Sequence, residues 1–307
     1  MNLSIIIPAY NEQESLPNLL QQISDVVNAL KLQYEIIIID DGSNDGTDKI
    51  LRELKPKFQA LRAYIFRRNH GKSAALSEGF KQAKGEIIIT MDADLQDDPA
   101  EIPNLLNKLN EGYDLVSGWK KKRNDPITKT LPSKLFNFIT SLLSGIKIHD
   151  FNCGLKAYRK EVTTAINIYG ELHRFIPVLA YWQGFKVTEI KVQHRPRKYG
   201  KSKFGFKRFF HGFFDLITVL FLTRYKTSPL HIFGMIGFLI FSAGFFIEVY
   251  LTILWIGGAG IGRRPLFFLG ITFIIVGAQF IVLGLLGEML SAGFAEKSEY
   301  SYKETIE

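Results

Sequence analysis

The 307-residue chain has a single cysteine, Cys153. A lone thiol closes no internal disulfide, so a disulfide-stapled scaffold is excluded and no oxidising compartment is needed for folding. With 26 Gly and 11 Pro among 307 residues and no Gly-X-Y period, collagen-like and low-complexity chains are excluded as well. No G-x-G-x-x-G follows a strand-like run. Gly71-Lys72-Ser73 resembles the end of a phosphate loop, but Phe66 stands where that loop needs its first glycine. Dinucleotide oxidoreductases and P-loop enzymes therefore lose ground. Met1-Asn2 runs directly into the apolar Leu3–Ile7 without a basic stretch, so no cleaved leader is expected.

Charge is also missing from two long stretches, residues 227–247 and 266–287. The apolar pattern gives two expected membrane spans, about 232–256 and 266–287, each long enough for a hydrocarbon core of ~30 Å. Only nine residues, Gly257–Pro265, join them, so the spans form a hairpin with both flanks on one side. Residues 230–307 carry four Lys/Arg and six Asp/Glu, against 38 and 30 in the whole chain, leaving a net +10 on residues 1–229. Nine Lys/Arg and one acid lie between Arg195 and Lys226, whereas the hairpin loop has only Arg263 and Arg264. The positive-inside rule then places the N-terminal domain and both termini in the cytoplasm. Such a basic balance suits nucleic acid, an anionic membrane surface or a phosphorylated substrate.

Glycines recur every seven residues on both spans: Gly237 and Gly244, then Gly270, Gly277 and Gly284. Two turns of helix put each set on one face, suited to close packing within the hairpin or between protomers of an expected homo-oligomer. Glu248 is an ionisable residue within the first span, either functional or snorkelling to the far interface. Ahead of the spans, Phe206, Phe209, Phe210, Phe213, Phe214, Ile217, Leu220 and Phe221 share one helical face, opposite Lys207, Arg208 and His211. That pattern predicts an amphipathic helix in the lipid interface.

The N-terminal part alternates short continuous apolar runs with segments of helical spacing. Leu3–Ile7, Glu35–Ile39, 61–66 and 86–91 read as strands; Glu14–Leu30, 46–55 and 72–84 read as helices. Continuous β-branched runs separated by helices imply an α/β fold, with a mostly parallel sheet covered on both faces. Ligands in such sheets bind at the carboxyl ends of the strands, where Tyr10-Asn11-Glu12, Asp40-Asp41-Gly42-Ser43 and Asp92-Ala93-Asp94-Leu95-Gln96 stand. Carboxylates repel a nucleoside diphosphate unless a divalent cation lies between them. Asp92-x-Asp94 offers hard oxygen ligands to Mg²⁺ or Mn²⁺.

These segments resemble the family 2 glycosyltransferases of the GT-A fold, through Ile-Pro-Ala-Tyr-Asn-Glu, Asp40-Asp41-Gly42-Ser43-x-Asp45-Gly46-Thr47, Asn69-x-Gly71-Lys72 and Asp92-Ala93-Asp94-Leu95-Gln96. Gly118-Trp119-Lys120, Asp150-x-x-Cys153-Gly154 and Arg197-x-x-Gly200-x-Ser202-Lys203, with two spans behind them, resemble the polyprenyl-phosphate glycosyltransferases more narrowly. The Q-x-x-R-W motif of processive polysaccharide synthases is absent. The resemblance implies an inverting transfer from a nucleotide sugar to a lipid phosphate. It implies that Pro8, Tyr10, Glu12 and Asp41 hold the nucleoside, with Lys72, Asp92 and Arg197 also on the nucleotide side. Asp94, Gln96 and Asp92 would hold Mg²⁺ or Mn²⁺, and Asp150 would act at the reaction centre, as base or by orienting the sugar. Cys153 reads as a packed residue, since a single displacement needs no nucleophilic thiol.

The acceptor phosphate needs cations near the membrane. Lys120, Arg123, Lys129, Ser133, Ser202 and Lys203 are the candidates. Pro132-Ser133 before Leu135–Leu143 predicts a helix N-terminus there, a ready phosphate site. The expected organisation is a GT-A domain over 1–203, an amphipathic segment 204–228, the hairpin 229–290 and a tail 291–307. The expected donor is UDP-glucose, with mannose or an aminoarabinose as alternatives; the acceptor is polyprenyl phosphate, and no nucleic-acid partner is expected. A transporter is disfavoured because one hairpin offers no pathway, and a non-catalytic scaffold because Asp92, Asp94 and Asp150 are all intact.

Overall fold

In the computed structural model the described residues are 2–121, 127–196, 229–258, 260 and 265–295. The chain divides into two compact units, Met1–Val219 and Leu220–Glu307. In the first, seven strands among the described residues form one sheet: β1 (Leu3–Ala9), β2 (Tyr34–Asp40), β3 (Leu61–Ile65), β4 (Ile87–Thr90), β5 (Leu115–Trp119), β6 (Lys156–Arg159) and β7 (Val187–Lys191). Their order is β3-β2-β1-β4-β6-β5-β7. All pairings are parallel except those of β6, which runs antiparallel between β4 and β5. The loop that enters β6 therefore lies on the edge where β1, β2, β4 and β5 end.

Both faces of the sheet are covered, which explains the unbroken isoleucine runs. Leu3, Ile5 and Ile7 with Ile36 and Ile38 face the core containing α1 (Leu16–Ala29), α2 (Thr47–Leu54) and α4 (Ile102–Asn110). Ile6, Ile37 and Ile39 face the other core, with α3 (Lys72–Gln82), α6 (Lys160–Ala165) and α7 (Ile176–Trp182). Each buried aliphatic side chain contributes ~1.5–3 kcal/mol. Gly79 lets α3 approach closely: a Cβ there would stand 2.3 Å from Ile6 Cγ2.

One expectation is corrected here. The helix expected to begin at Pro132-Ser133 is α5 (Ile127–Ser144), which starts a turn and a half earlier. Ser133 thus lies inside the helix, and no N-terminal dipole site is available to it. Pro132 is the sixth residue of α5, inside the ladder, where its missing N–H leaves the Thr128 carbonyl without its i→i−4 donor. Asn137, buried, and Phe136, whose ring meets that of Phe175, hold the helix on the domain.

In the second unit, α8 (Pro229–Ile256) and α9 (Pro265–Ala295) pack as a hairpin, both long and apolar enough to cross a membrane. Their glycine faces meet one another. A Cβ on Gly237 would stand 2.7 Å from Gly277 O, and one on Gly244 would stand 2.6 Å from Gly270 O. The sevenfold glycine spacing is therefore satisfied within the hairpin. Gly270 also makes room for the Glu248 carboxylate. Glu288 Oε2 accepts the Leu230 N–H at 3.3 Å, satisfying one of the orphan donors that start α8. The expected amphipathic segment 204–228 lies outside the described residues, as does the tail beyond residue 295.

At the opposite edge of the sheet from the strand ends, Glu35 is buried and accepts from Ser4 Oγ (2.7 Å), the Lys84 N–H (2.7 Å) and Arg62 Nη1 (2.5 Å). Burial raises its pKa, but the Ser4, Arg62 and Lys84 bonds outweigh it and the net shift is downward. Its stabilisation is thus present above the ordinary carboxylate range and lost as pH falls through the lowered value. Glu35→Ala should destabilise the detergent-solubilised protein by about 3 kcal/mol at pH 7, and the difference in melting temperature from wild type should close below about pH 4. A gap that persists undiminished in acid would contradict this network.

Candidate active site

Two loops at the strand ends are sewn together first. The Asn11 N–H donates to Ser43 Oγ (2.8 Å), the Glu12 N–H to Thr47 Oγ1 (3.1 Å), and Asn11 Oδ1 accepts the Asn44 N–H (2.9 Å). Asn11 takes φ +58°, which its short amide tolerates. Asp40 and Asp45 are absorbed by this loop, Asp40 on Ser43 and Asp45 on Thr47. Asp41, the nucleoside candidate, is buried and accepts two backbone N–H groups, His70 on Oδ1 (2.7 Å) and Gly71 on Oδ2 (2.9 Å). It therefore clamps the loop that opens α3. An ionised carboxylate has about four lone-pair sites, so a further donor can still be accepted. Pro8 lies at the same edge, lining a small, partly open cavity with Lys72, Asp92, Cys153 and Lys156.

The centre of the edge is Asp92, two residues past Thr90, the last residue of β4. Lys72, the first residue of α3, forms an ion pair with its Oδ1. Burial raises the Asp92 pKa, but Lys72 chiefly, then Lys120 and Lys156, pull it down to about 2. Each lysine comes from a different element. Lys120 follows β5 and binds the fully buried Asp97 at 2.8 Å. Burial disfavours its charge, but Asp97 and Asp92 outweigh this and raise its pKa. Lys156 opens β6, is buried, and donates to the Cys153 carbonyl. Burial, with Lys72 as a like charge, lowers its pKa. The loop before β6 presses on the cluster at Gly154, where a Cβ would stand 2.5 Å from the Asp92 carboxyl carbon. Thr90 Oγ1 donates to the Gly154 carbonyl at 2.8 Å and fixes that approach.

Asp94 accepts the Gln96 N–H on Oδ1 at 3.1 Å, and Leu95 between them takes φ +63°, a strained value for a leucine. Asp94 and Gln96 are both partly exposed at the strand end. Among the described residues no group of three His, Cys, Asp or Glu side chains gathers to hold an ion. Asp94 and the Gln96 amide oxygen are hard donors that fit Mg²⁺ or Mn²⁺, provided that phosphate oxygens complete the shell. Asp92 would have to share Lys72 to join them.

Asp150 is buried on the same edge, its Oδ1 accepting the Asn152 N–H (3.1 Å). Its charge and that of Asp92 both favour the charged form of Lys156, against the burial that lowers its pKa. Cys153 packs against Gly118, and burial pushes its thiol up to about 12, the state of a packing residue. Tyr10 and Glu12 follow β1, with Glu12 Oε2 accepting from Ser15 Oγ at 2.8 Å. Ser133 is on α5; the Lys129 side chain, Arg123, Arg197, Ser202 and Lys203 lie outside the described residues. The chain leading to Arg197 is nonetheless pinned to the site, because the Arg195 N–H donates to the Gln96 carbonyl (3.0 Å) and its guanidinium to Asp98 (2.6 Å). Sequence reasoning placed Lys120 in a basic run beside the acceptor; the structure turns it inward onto Asp97, with its side chain 11% exposed, while the neighbouring Lys121 is exposed. It missed Lys156, whose strand-edge position would have required knowing that β6 enters from this side.

A model of the family described as glycosyl transferase family 2 matches residues 4–166. The chain is 35% identical to a dodecaprenyl-phosphate galacturonate synthase of Rhizobium johnstonii, over 95% of this chain and 88% of that protein. It is 38% identical to an undecaprenyl-phosphate 4-deoxy-4-formamido-L-arabinose transferase of Proteus mirabilis (94% and 88% covered) and 39% identical to one of Shewanella sediminis (96% and 88% covered). Among solved structures, glucosyl-3-phosphoglycerate synthase of Mycobacterium tuberculosis, determined with Mn²⁺ and UDP, superposes with a TM-score of 0.56 at 19% identity. The superposition covers 72% of this chain and 78% of that one. It shows a shared GT-A fold.

Replacing Lys72 with Met removes the largest downward influence on Asp92. Its titration, followed by carboxyl carbon NMR, should move upward from about 2 towards or beyond the ordinary range. An unchanged titration would mean that Lys120 and Lys156 alone hold the charge.

Proposed function

The chain belongs to glycosyl transferase family 2, and from that premise we propose that it transfers a monosaccharide, with inversion, from a nucleotide sugar to polyprenyl phosphate at a membrane surface. The observation that carries the reading is the convergence of Asp94, Asp92, Lys72 and Asp150 on one sheet edge, in a chain that ends in two membrane-length helices. The similar proteins are named for a formamido-arabinose and a galacturonate. That moves 4-deoxy-4-formamido-L-arabinose to first place among donors, with glucose from UDP-glucose, the sugar expected from the sequence, as the comparison.

In this reading Pro8, Tyr10, Glu12 and Asp41 border the nucleoside, and Lys72 and Arg197 face the diphosphate. Asp94 and Gln96 hold the divalent cation, which when bound supplies Lewis-acid charge to the leaving diphosphate. A phosphate monoester, with a second pKa near 6, arrives already deprotonated. Asp150 therefore has little proton to remove and serves to orient the sugar. The acceptor approaches from α5, where Ser133 and Lys129 take the phosphate, aided by Arg123, Ser202 and Lys203. Along α5, Phe138 and Leu142, one turn apart, are 65% and 69% exposed, with Lys134 exposed beside them. An apolar stripe next to a cation suits a lipid with a charged head.

The full-length protein in mixed micelles with undecaprenyl phosphate should release nucleotide only when the lipid is present. The fastest release is expected from the formamido-arabinose donor, with galacturonate and glucose donors slower by tenfold or more, on the order of one missing polar contact. Lipid-independent release would overturn the transferase reading, and fastest turnover of glucose would restore the glucose donor. Asp94→Asn should abolish Mn²⁺ binding measured by electron paramagnetic resonance in the presence of nucleoside diphosphate, and cut turnover about 100-fold or more. The melting temperature should stay near wild type. Retained Mn²⁺ binding would remove Asp94 from the cation site.

A further inference from the structure

Residue 149, immediately before Asp150, is held from three sides. Glu189 of β7 takes both of its donors on one carboxylate: the His149 N–H binds Oε2 at 2.8 Å, and the ring Nδ1 meets Oε1. Asn137 of α5 donates from Nδ2 to the His149 carbonyl at 2.8 Å. The imidazole stacks on Trp119 at the end of β5, with centroids 4.1 Å apart and planes at 13°. The Lys121 and Lys191 ammonium groups each lie 5.8 Å from the Trp119 centroid. The supporting groups are inside the domain, with the Glu189 side chain 12% exposed and Asn137 7%, while the His149 side chain they hold is 64% exposed.

The peptide unit joining His149 to Asp150 is planar. Fixing its carbonyl through Asn137, and the N–H one residue earlier through Glu189, sets the direction in which Asp150 leaves the backbone. Asn137 also lies four residues after Ser133, on the same face of α5. We propose that Glu189 and Asn137 are positioning residues that aim Asp150 at the reacting sugar, with Asn137 linking that aim to the helix that receives the acceptor. The proposal rests on the reading of Asp150 given above.

The test uses full-length protein with polyprenyl phosphate. Glu189→Leu should lower kcat about 100-fold, the scale of an ångström of misplacement, with KM for the nucleotide sugar within about twofold. Glu189→Gln can accept the His149 N–H and donate to Nδ1, so it should recover kcat to within roughly fivefold of wild type, each step being the size of one hydrogen bond. Placed on Asp150→Asn, Glu189→Leu should cost less than about threefold more, because residues acting as a unit are not additive. Full additivity, unchanged kcat in Glu189→Leu, or nucleotide affinity lost in proportion to kcat would each overturn the proposal. Should Glu189→Leu not fold, Asn137→Ala decides alone: about a tenfold fall in kcat, absent in the Asp150→Asn background, supports it, and any other result overturns it. A wild-type protein that transfers no sugar to polyprenyl phosphate overturns the reading beneath it, whereas active wild type with additive losses overturns the proposal only.

Discussion

A carboxylate placed at the end of a buried strand must be neutralised, because an unpaired charge there costs several kcal/mol. Asp92 is that carboxylate, and much of the first unit is arranged around meeting the demand. Lys72 arrives on α3, Lys120 on the exit of β5 and Lys156 on the entry of β6. Three separate connections of the sheet must be in place for those lysines to act on one carboxylate. The antiparallel insertion of β6 is part of the same solution, since it brings the start of a strand, with its preceding loop, to an edge otherwise made of strand ends. Gly154 is the steric counterpart: the loop closes over Asp92 because no side chain stands in the way.

Much of this was legible in the sequence. The isoleucine runs of β1 and β2 announce a sheet buried on both faces, and the acidic clusters after them mark the strand ends where a ligand binds. The glycine spacing of α8 and α9 shows which faces meet, once the hairpin is formed. What stayed hidden are the residues whose role depends on tertiary neighbours. Lys156, between Leu155 and Ala157, reads as one lysine in a short amphipathic stretch, and only the antiparallel pairing of β6 reveals it as buried. Asp41 reads as a ligand contact, but its two bonds to His70 and Gly71 are loop architecture that no local pattern encodes. Pro132 signals a helix start, and tertiary packing through Asn137 and Phe136 carries the helix through it.

The opposite edge of the sheet shows the same physics used for a different end. Glu35 is buried as Asp92 is, but its partners Ser4, Arg62 and Lys84 leave no opening, so it serves stability alone. Asp92 sits beside a cavity and a half-exposed lysine, with the strained Leu95 three residues on. Strain and an incompletely enclosed charge are tolerated where a ligand is to complete them.

The exposed stripe of Phe138 and Leu142 belongs to the globular unit and not to the hairpin. Cutting the chain before Pro229 would delete both membrane-length helices and leave that stripe in place. The shortened protein would still carry this apolar stripe into water, and should self-associate or gather detergent as it is purified. A well-behaved soluble form would pair that truncation with polar replacements at Phe138 and Leu142.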